Sequence, residues 1–134
     1  LDKLNEVSLS PDGNTLAFFK RSNNAILWDL NTGKASNKLV GHEELVTCLA
    51  FSPDNKTIAT GSLDRSIILW DANTGEPIKK LERHSGMLFS VEFSKDGKQL
   101  ISNSWDGTSV LWDVEKREVL SRFKVHSSSP YCML

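Results

Sequence analysis

The chain has 134 residues, a formal net charge of −1 and 25% charged residues, with neither the basic surplus of a nucleic-acid binder nor an acidic tail. Its 39% hydrophobic content suits a single folded, soluble domain, and its longest apolar runs, of four residues, are far too short to cross a membrane. The opening Leu1-Asp2-Lys3-Leu4-Asn5-Glu6 lacks the apolar core of a signal peptide and an initiator Met, so it reads as a processed, trimmed or excised piece.

In chain order, a short strand at residues 4–8 leads into Ser10-Pro11-Asp12-Gly13, a turn in which proline presets φ. Leu27-Trp28-Asp29 and the turn Asn31-Thr32-Gly33 complete a first unit. Val46, Leu49 and Phe51 anchor the next strand, followed by the Ser52-Pro53-Asp54-Asn55 turn and a strand over residues 57–61. Leu63-Asp64-Arg65-Ser66 turns again. Residues 67–71, Ile-Ile-Leu-Trp-Asp, form a continuous apolar run of the kind buried on both faces. Asn73-Thr74-Gly75 closes a further turn before a fourth strand at 78–81, and Ser94-Lys95-Asp96-Gly97 and Leu111-Trp112-Asp113 repeat the plan. No helical periodicity is present.

Trp28, Trp70 and Trp112 are spaced by 42 residues, and His42, His84 and His126 follow at a constant offset. Self-similarity at this period marks a repeat architecture whose small sheets cannot bury both faces alone and must stack. With its recurring Leu-Trp-Asp, its Ser-x-Asp first turn and its phased histidines, the chain resembles the WD-repeat β-propeller family. The resemblance implies an all-β fold of four-stranded antiparallel blades: residues 4–42 (degenerate), 46–84 and 88–126, with 127–134 opening a fourth. The family's Gly-His occurs only at Gly41-His42; Arg83 and Val125 precede the other histidines.

Ser or Thr, His and Asp beside each other invite comparison with a hydrolase triad, but an active site is built once and this set recurs. The resemblance implies instead two structural tetrads, His42, Thr60, Asp64 and Trp70 in the second unit, and His84, Ser102, Asp106 and Trp112 in the third. In each, the Asp would hold the His, the His would reach the hydroxyl, and the hydroxyl would meet the indole N–H. Unit one departs: Phe18 replaces the hydroxyl and Ser22 the Asp, and its histidine would precede residue 1, a pattern read as degeneration. No cofactor or metal is expected, since no second ligand lies at i+3 or i+4 from a histidine and no phosphate loop is present. Cys48 and Cys132 lie two periods apart, too far to bridge, and read as reduced residues of a cytoplasmic protein.

Because framework residues recur, function is expected where the repeat is broken. Three positions vary: Arg21, Leu63, Trp105; Asn5, Thr47, Phe89, Tyr131; and Lys3, Leu45, Met87, Ser129. The resemblance places all three on the rim around the channel mouth. Trp105, Phe89, Met87 and Tyr131, continued by Leu63 and Leu45, form the candidate surface for a protein or peptide partner. Lys79-Lys80, Lys34 and Lys38 are expected on a solvated outer edge.

Three blades cannot close a ring. Either further blades come from a longer chain, or copies associate; a last strand that duplicates residues 4–8 favours the longer chain. The reading is a non-enzymatic interaction scaffold with neither nucleic acid nor membrane as partner. The alternatives are a regulatory or sensor portion of a multidomain protein, or a channel-binding or enzymatic propeller, which would need inward carboxylates or metal ligands.

Overall fold

Strands end where the turn residues stand, and a computed structural model describes residues 5–124. His126, Tyr131, Cys132 and the rest of segment 127–134 lie outside the described residues, as do Lys3 and Leu4. The first sheet comprises β1 (Asn5–Leu9), β2 (Thr15–Lys20), β3 (Ala25–Asp29) and β4 (Lys34–Leu39). The second comprises β5 (Val46–Phe51), β6 (Thr57–Ser62), β7 (Ser66–Asp71) and β8 (Pro77–Glu82). The third comprises β9 (Leu88–Phe93), β10 (Gln99–Ser104), β11 (Thr108–Asp113) and β12 (Glu118–Lys124). Each is an antiparallel meander in sequence order, and there is no helix among the described residues.

The turns are chemically determined. Ser10 donates its hydroxyl to Asp12 Oδ1 at 2.6 Å and accepts the Thr15 amide at 3.0 Å. Ser52 with Asp54 and Ser94 with Asp96 repeat this knot. The Asp of each Leu-Trp-Asp folds the chain into the outer strand. The amides of Asn31, Asn73 and Lys116 donate to Asp29, Asp71 and Asp113, each at 2.8 Å. The residue that completes this turn is left-handed in every sheet: Gly33 at φ 71°, Gly75 at φ 77° and Arg117 at φ 59°.

Strand alternation assigns the two faces of the middle sheet to different neighbours. Leu49, Ile58, Ile68 and Trp70 pack against Ala17, Phe19, Ala25, Leu27 and Leu39 of the first sheet. Cys48, Ala59, Ile67, Leu69 and Leu81 pack against Leu88, Val91, Leu100, Val110 and Trp112 of the third. This double cover explains why β7 is apolar without alternation. At the inner end β5 lies beside both β1 and β9. Between Leu and Trp of each Leu-Trp-Asp, the pairing with the outer strand slips register, a bulge repeated at 27/28, 69/70 and 111/112.

Gly61 marks the tightest point of the second seam. A Cβ there would lie 2.6 Å from Cys48 Sγ and 2.8 Å from Leu88 Cβ. Gly61→Ala is therefore expected to destabilise the protein by about 1–3 kcal/mol through overpacking. Urea unfolding checks this, and an unchanged midpoint would show that the seam has slack.

Candidate functional site

The tetrad residues converge from separate strands and loops. In the second sheet Trp70 donates its indole N–H to Thr60 Oγ1 at 2.7 Å. His42 Nε2 lies 2.7 Å from the same oxygen, and His42 Nδ1 lies 3.0 Å from Asp64 Oδ2. With the imidazole neutral, one proton arrangement satisfies every group. The carboxylate accepts from Nδ1–H, so Nε2 is bare and accepts the Thr60 hydroxyl proton, leaving that oxygen free to accept from the indole. The third sheet repeats the set: Trp112 to Ser102 at 2.9 Å, His84 Nε2 to Ser102 at 2.8 Å and His84 Nδ1 to Asp106 at 3.1 Å.

Each Asp ties together more than its histidine. Asp64 Oδ2 also accepts the Glu43 amide at 3.0 Å, while Oδ1 accepts the Ser66 hydroxyl at 2.6 Å and the Ser66 amide at 2.8 Å. Ser85 and Thr108 play these parts for Asp106. Ser66 and Thr108 escaped the sequence reading, although a hydroxyl at both positions, one period apart, was the signal. Burial opposes the charge on Asp64 and Asp106, but these hydrogen bonds outweigh it and hold both carboxyls at about 2. Burial also lowers His42 and His84 below the usual 6.5, against the pull of their aspartates.

Thr60 and Ser102 are completely buried, so neither hydroxyl can meet a substrate. The clasp pins the loop before each sheet to the turn between its second and third strands. In the first sheet Phe18 and Ser22 occupy the hydroxyl and Asp positions, and Trp28 is only half-buried. There the turn is held instead by the next sheet: Ser22 O accepts the Val46 amide at 2.8 Å, and Asn23 donates its side-chain amide to Glu43 O at 3.2 Å.

The clasped loops carry the rim. Leu63 N donates to Leu45 O, and Trp105 N to Met87 O, both at 2.9 Å, so these residues stand as two backbone-linked pairs. Trp105 is 39% exposed, whereas Leu45, Leu63, Met87 and Phe89 are half-buried. Tyr131 lies outside the described residues. Thr47 departs from the rim expectation. It is buried and donates its hydroxyl to Leu88 O at 2.6 Å, because a small β-branched side chain there stitches β5 to the third sheet. Among the described residues, no group of three or more His, Cys, Asp or Glu side chains gathers as a metal site requires. No helix among them is long and apolar enough to cross a membrane.

The family model "WD domain, G-beta repeat" matches residues 33–71 and 75–113, more than half of the chain. The chain belongs to the WD40 repeat family. WD40 repeats generally mediate protein–protein interaction, and WD40 propellers are generally non-enzymatic. The matched repeats start in the turn before an outer strand, so each joins that strand to the first three of the next sheet. No curated protein matches the sequence. The structure of U3-55K is similar with a TM-score of 0.87 at 22% identity, over 91% of this chain and 39% of that one. The crystal structure of the RRP9 WD40 repeats is similar with a TM-score of 0.86 at 22% identity, over 91% of this chain and 38% of that one. The WD40 chain thus spans about two fifths of each structure's length.

Two tests address the clasp. Thr60→Val keeps the shape but strands the Trp70 N–H and His42, at about 1–3 kcal/mol for each buried group left unpaired. Denaturation should show this loss and its near-complete recovery in Thr60→Ser; a Thr60→Val protein as stable as wild type would mean the hydroxyl is dispensable. Acid acts through the same groups. The unfolded histidines gain protons below about pH 6.5, whereas folded His42 and His84, lowered by burial, gain theirs only at lower pH, so stability is complete above about pH 6.5 and falls below it. A second loss follows as Asp64 and Asp106 protonate, between the unfolded value of 3.8 and about 2. Unfolding midpoints that stay level from about pH 7 to about pH 5 would contradict the histidine part.

Proposed function

We propose that this chain is a non-enzymatic protein–protein interaction scaffold that presents the rim of its second and third sheets to a peptide or protein partner. The observation that carries the reading is Trp105. A large aromatic side chain stands 39% exposed on a turn fixed from below by the Asp106 clasp and from the side by Met87 O. Exposed aromatic residues on rigid supports supply contact area with little ordering cost, which is how interface anchors work. Met87 and Phe89 extend the apolar surface around it, and Leu45 and Leu63 continue it onto the second sheet. Catalysis belongs to what such a scaffold assembles.

The same rim would serve a regulatory or sensor portion of a larger multidomain protein, which is a difference of context and not of contact chemistry. A free, buried Cys48, whose thiol burial pushes up to about 12, supports a reducing, cytoplasmic setting.

Peptides selected from a displayed random library on the wild-type protein test the rim. Trp105→Ala should cost these peptides about 2 kcal/mol or more in affinity while the protein keeps a cooperative thermal unfolding transition, since the side chain packs in neither seam cluster. Equal affinity for Trp105→Ala and wild type would remove the rim as the binding surface.

A further inference from the structure

The two seams between sheets differ at their outer end. At the first, Asn37 of β4 donates its side-chain amide to the Asn73 carbonyl at 3.0 Å. Asn37 Cβ also sits so close to Gly75 that a Cβ on that glycine would lie 2.9 Å away. This seam is latched. One period later Lys79 stands in place of Asn37 and Arg117 in place of Gly75. Among the described residues no hydrogen bond replaces the latch. Arg117 nevertheless keeps the left-handed backbone of the glycine, at φ 59°, which a side chain adopts only at a cost. Where the first seam shuts, a cleft of about 440 Å³ opens between β8 and β12.

The cleft carries a surplus of positive charge. Lys79, Lys80 and Arg83 line one wall and Arg117 the other, against Glu82 and Glu118. Lys80 already lies 3.7 Å from Glu82, so Lys79, Arg83 and Arg117 are opposed chiefly by Glu118. Leu81, Trp112 and Val119 make an apolar floor. A chain of net charge −1 thus gathers like charges across an open seam, on strands whose outer edges end their sheets. Strand edges offer N–H and C=O groups to an extended chain.

We propose that this cleft docks an extended acidic peptide segment of another protein, with Asp or Glu carboxylates held between Lys79, Arg83 and Arg117. A carboxylate placed there relieves the repulsion between the two walls and accepts the forked donors of the arginines. Hydrocarbon stems of the same segment cover Leu81 and Val119. Trp105 does not line this cleft, so the two surfaces are tested by separate substitutions.

Fluorescence anisotropy with a fluorescein-labelled Asp/Glu-rich peptide, set against its Asn/Gln counterpart and a single-stranded DNA oligomer, tests the proposal on the full chain. The acidic peptide should bind, the amide counterpart should not, and added salt should weaken binding. Lys79→Asn with Arg117→Gly rebuilds the latch of the first seam. It should raise the melting temperature and weaken the peptide by about tenfold or more. Lys79→Gln with Arg83→Gln, which leaves the seam backbone alone, should weaken it similarly, and Trp105→Ala should bind it as wild type does. The proposal fails if the acidic peptide does not bind or binds both cleft variants unchanged. It fails equally if the Asn/Gln peptide binds as well, if only the DNA oligomer binds, or if binding is lost through Trp105→Ala.

Discussion

A four-stranded sheet of five- to seven-residue strands has two faces and too little bulk to hide either, so each face must be closed by another sheet. Every other feature of the molecule answers this constraint. The middle sheet meets it on both sides, which is why β7 alternates in direction but not in polarity, with Ile68 toward the first sheet and Leu69 toward the third. Apolar packing alone does not specify the angle or height at which sheets meet. The polar clasps fix the loop that enters each of the last two sheets, because Thr60 and Ser102 satisfy an indole and an imidazole at once, and the imidazole is aimed by a carboxylate that also gathers two loop segments. Buried polar networks in which every member is satisfied hold one geometry in this way. The consequence is mechanical: the loops bearing Leu45, Leu63, Met87 and Trp105 are fixed by the clasps below them and by the backbone bonds that join them in pairs.

Much of this was legible in the residues. The 42-residue spacing located the strands, the Leu-Trp-Asp runs located the bulged third strand, and Ser-x-Asp located the first turn, since these are local effects of turn chemistry and burial period. The tetrads followed from the family resemblance, and their members recur in phase as a repeated hydrogen-bonded set must. What stayed hidden depends on pairs that face each other across a seam. Thr47 looked like a variable rim residue because nothing in one strand announces that its hydroxyl meets the Leu88 carbonyl 41 residues on. Lys79 is exposed on an outer strand as expected, and what the strand by itself does not announce is that it stands where Asn37 stands, opposite Arg117 in the place of Gly75. Periodicity reveals what repeats; only the coordinates show which departures touch.

The first sheet shows what happens when the clasp is absent. Phe18 cannot accept from Trp28, Ser22 cannot aim a histidine, and Trp28 is half-exposed where Trp70 is fully buried. The sheet is nevertheless well formed, with its turn tied to β5 through Ser22 O and Asn23. Strand pairing and the apolar seam thus shape this sheet without a clasp among the described residues, and in the other two sheets the clasp sets the upper loops.

The two outward faces of the three-sheet stack are chemically unlike. On the first sheet Val7 and Leu9 are 64% and 54% exposed, in the positions where the second sheet sets Leu49 and Phe51 against its neighbour. On the third sheet Asn103 occupies the position of Gly61 and bridges Ser90 and Ser109, so the pocket that receives Leu88 in the second seam is filled by a hydrogen-bonded amide. Partly buried Ile101 and Leu111 and the 41% exposed Phe123 share that face with the amide, so it mixes polar and apolar groups.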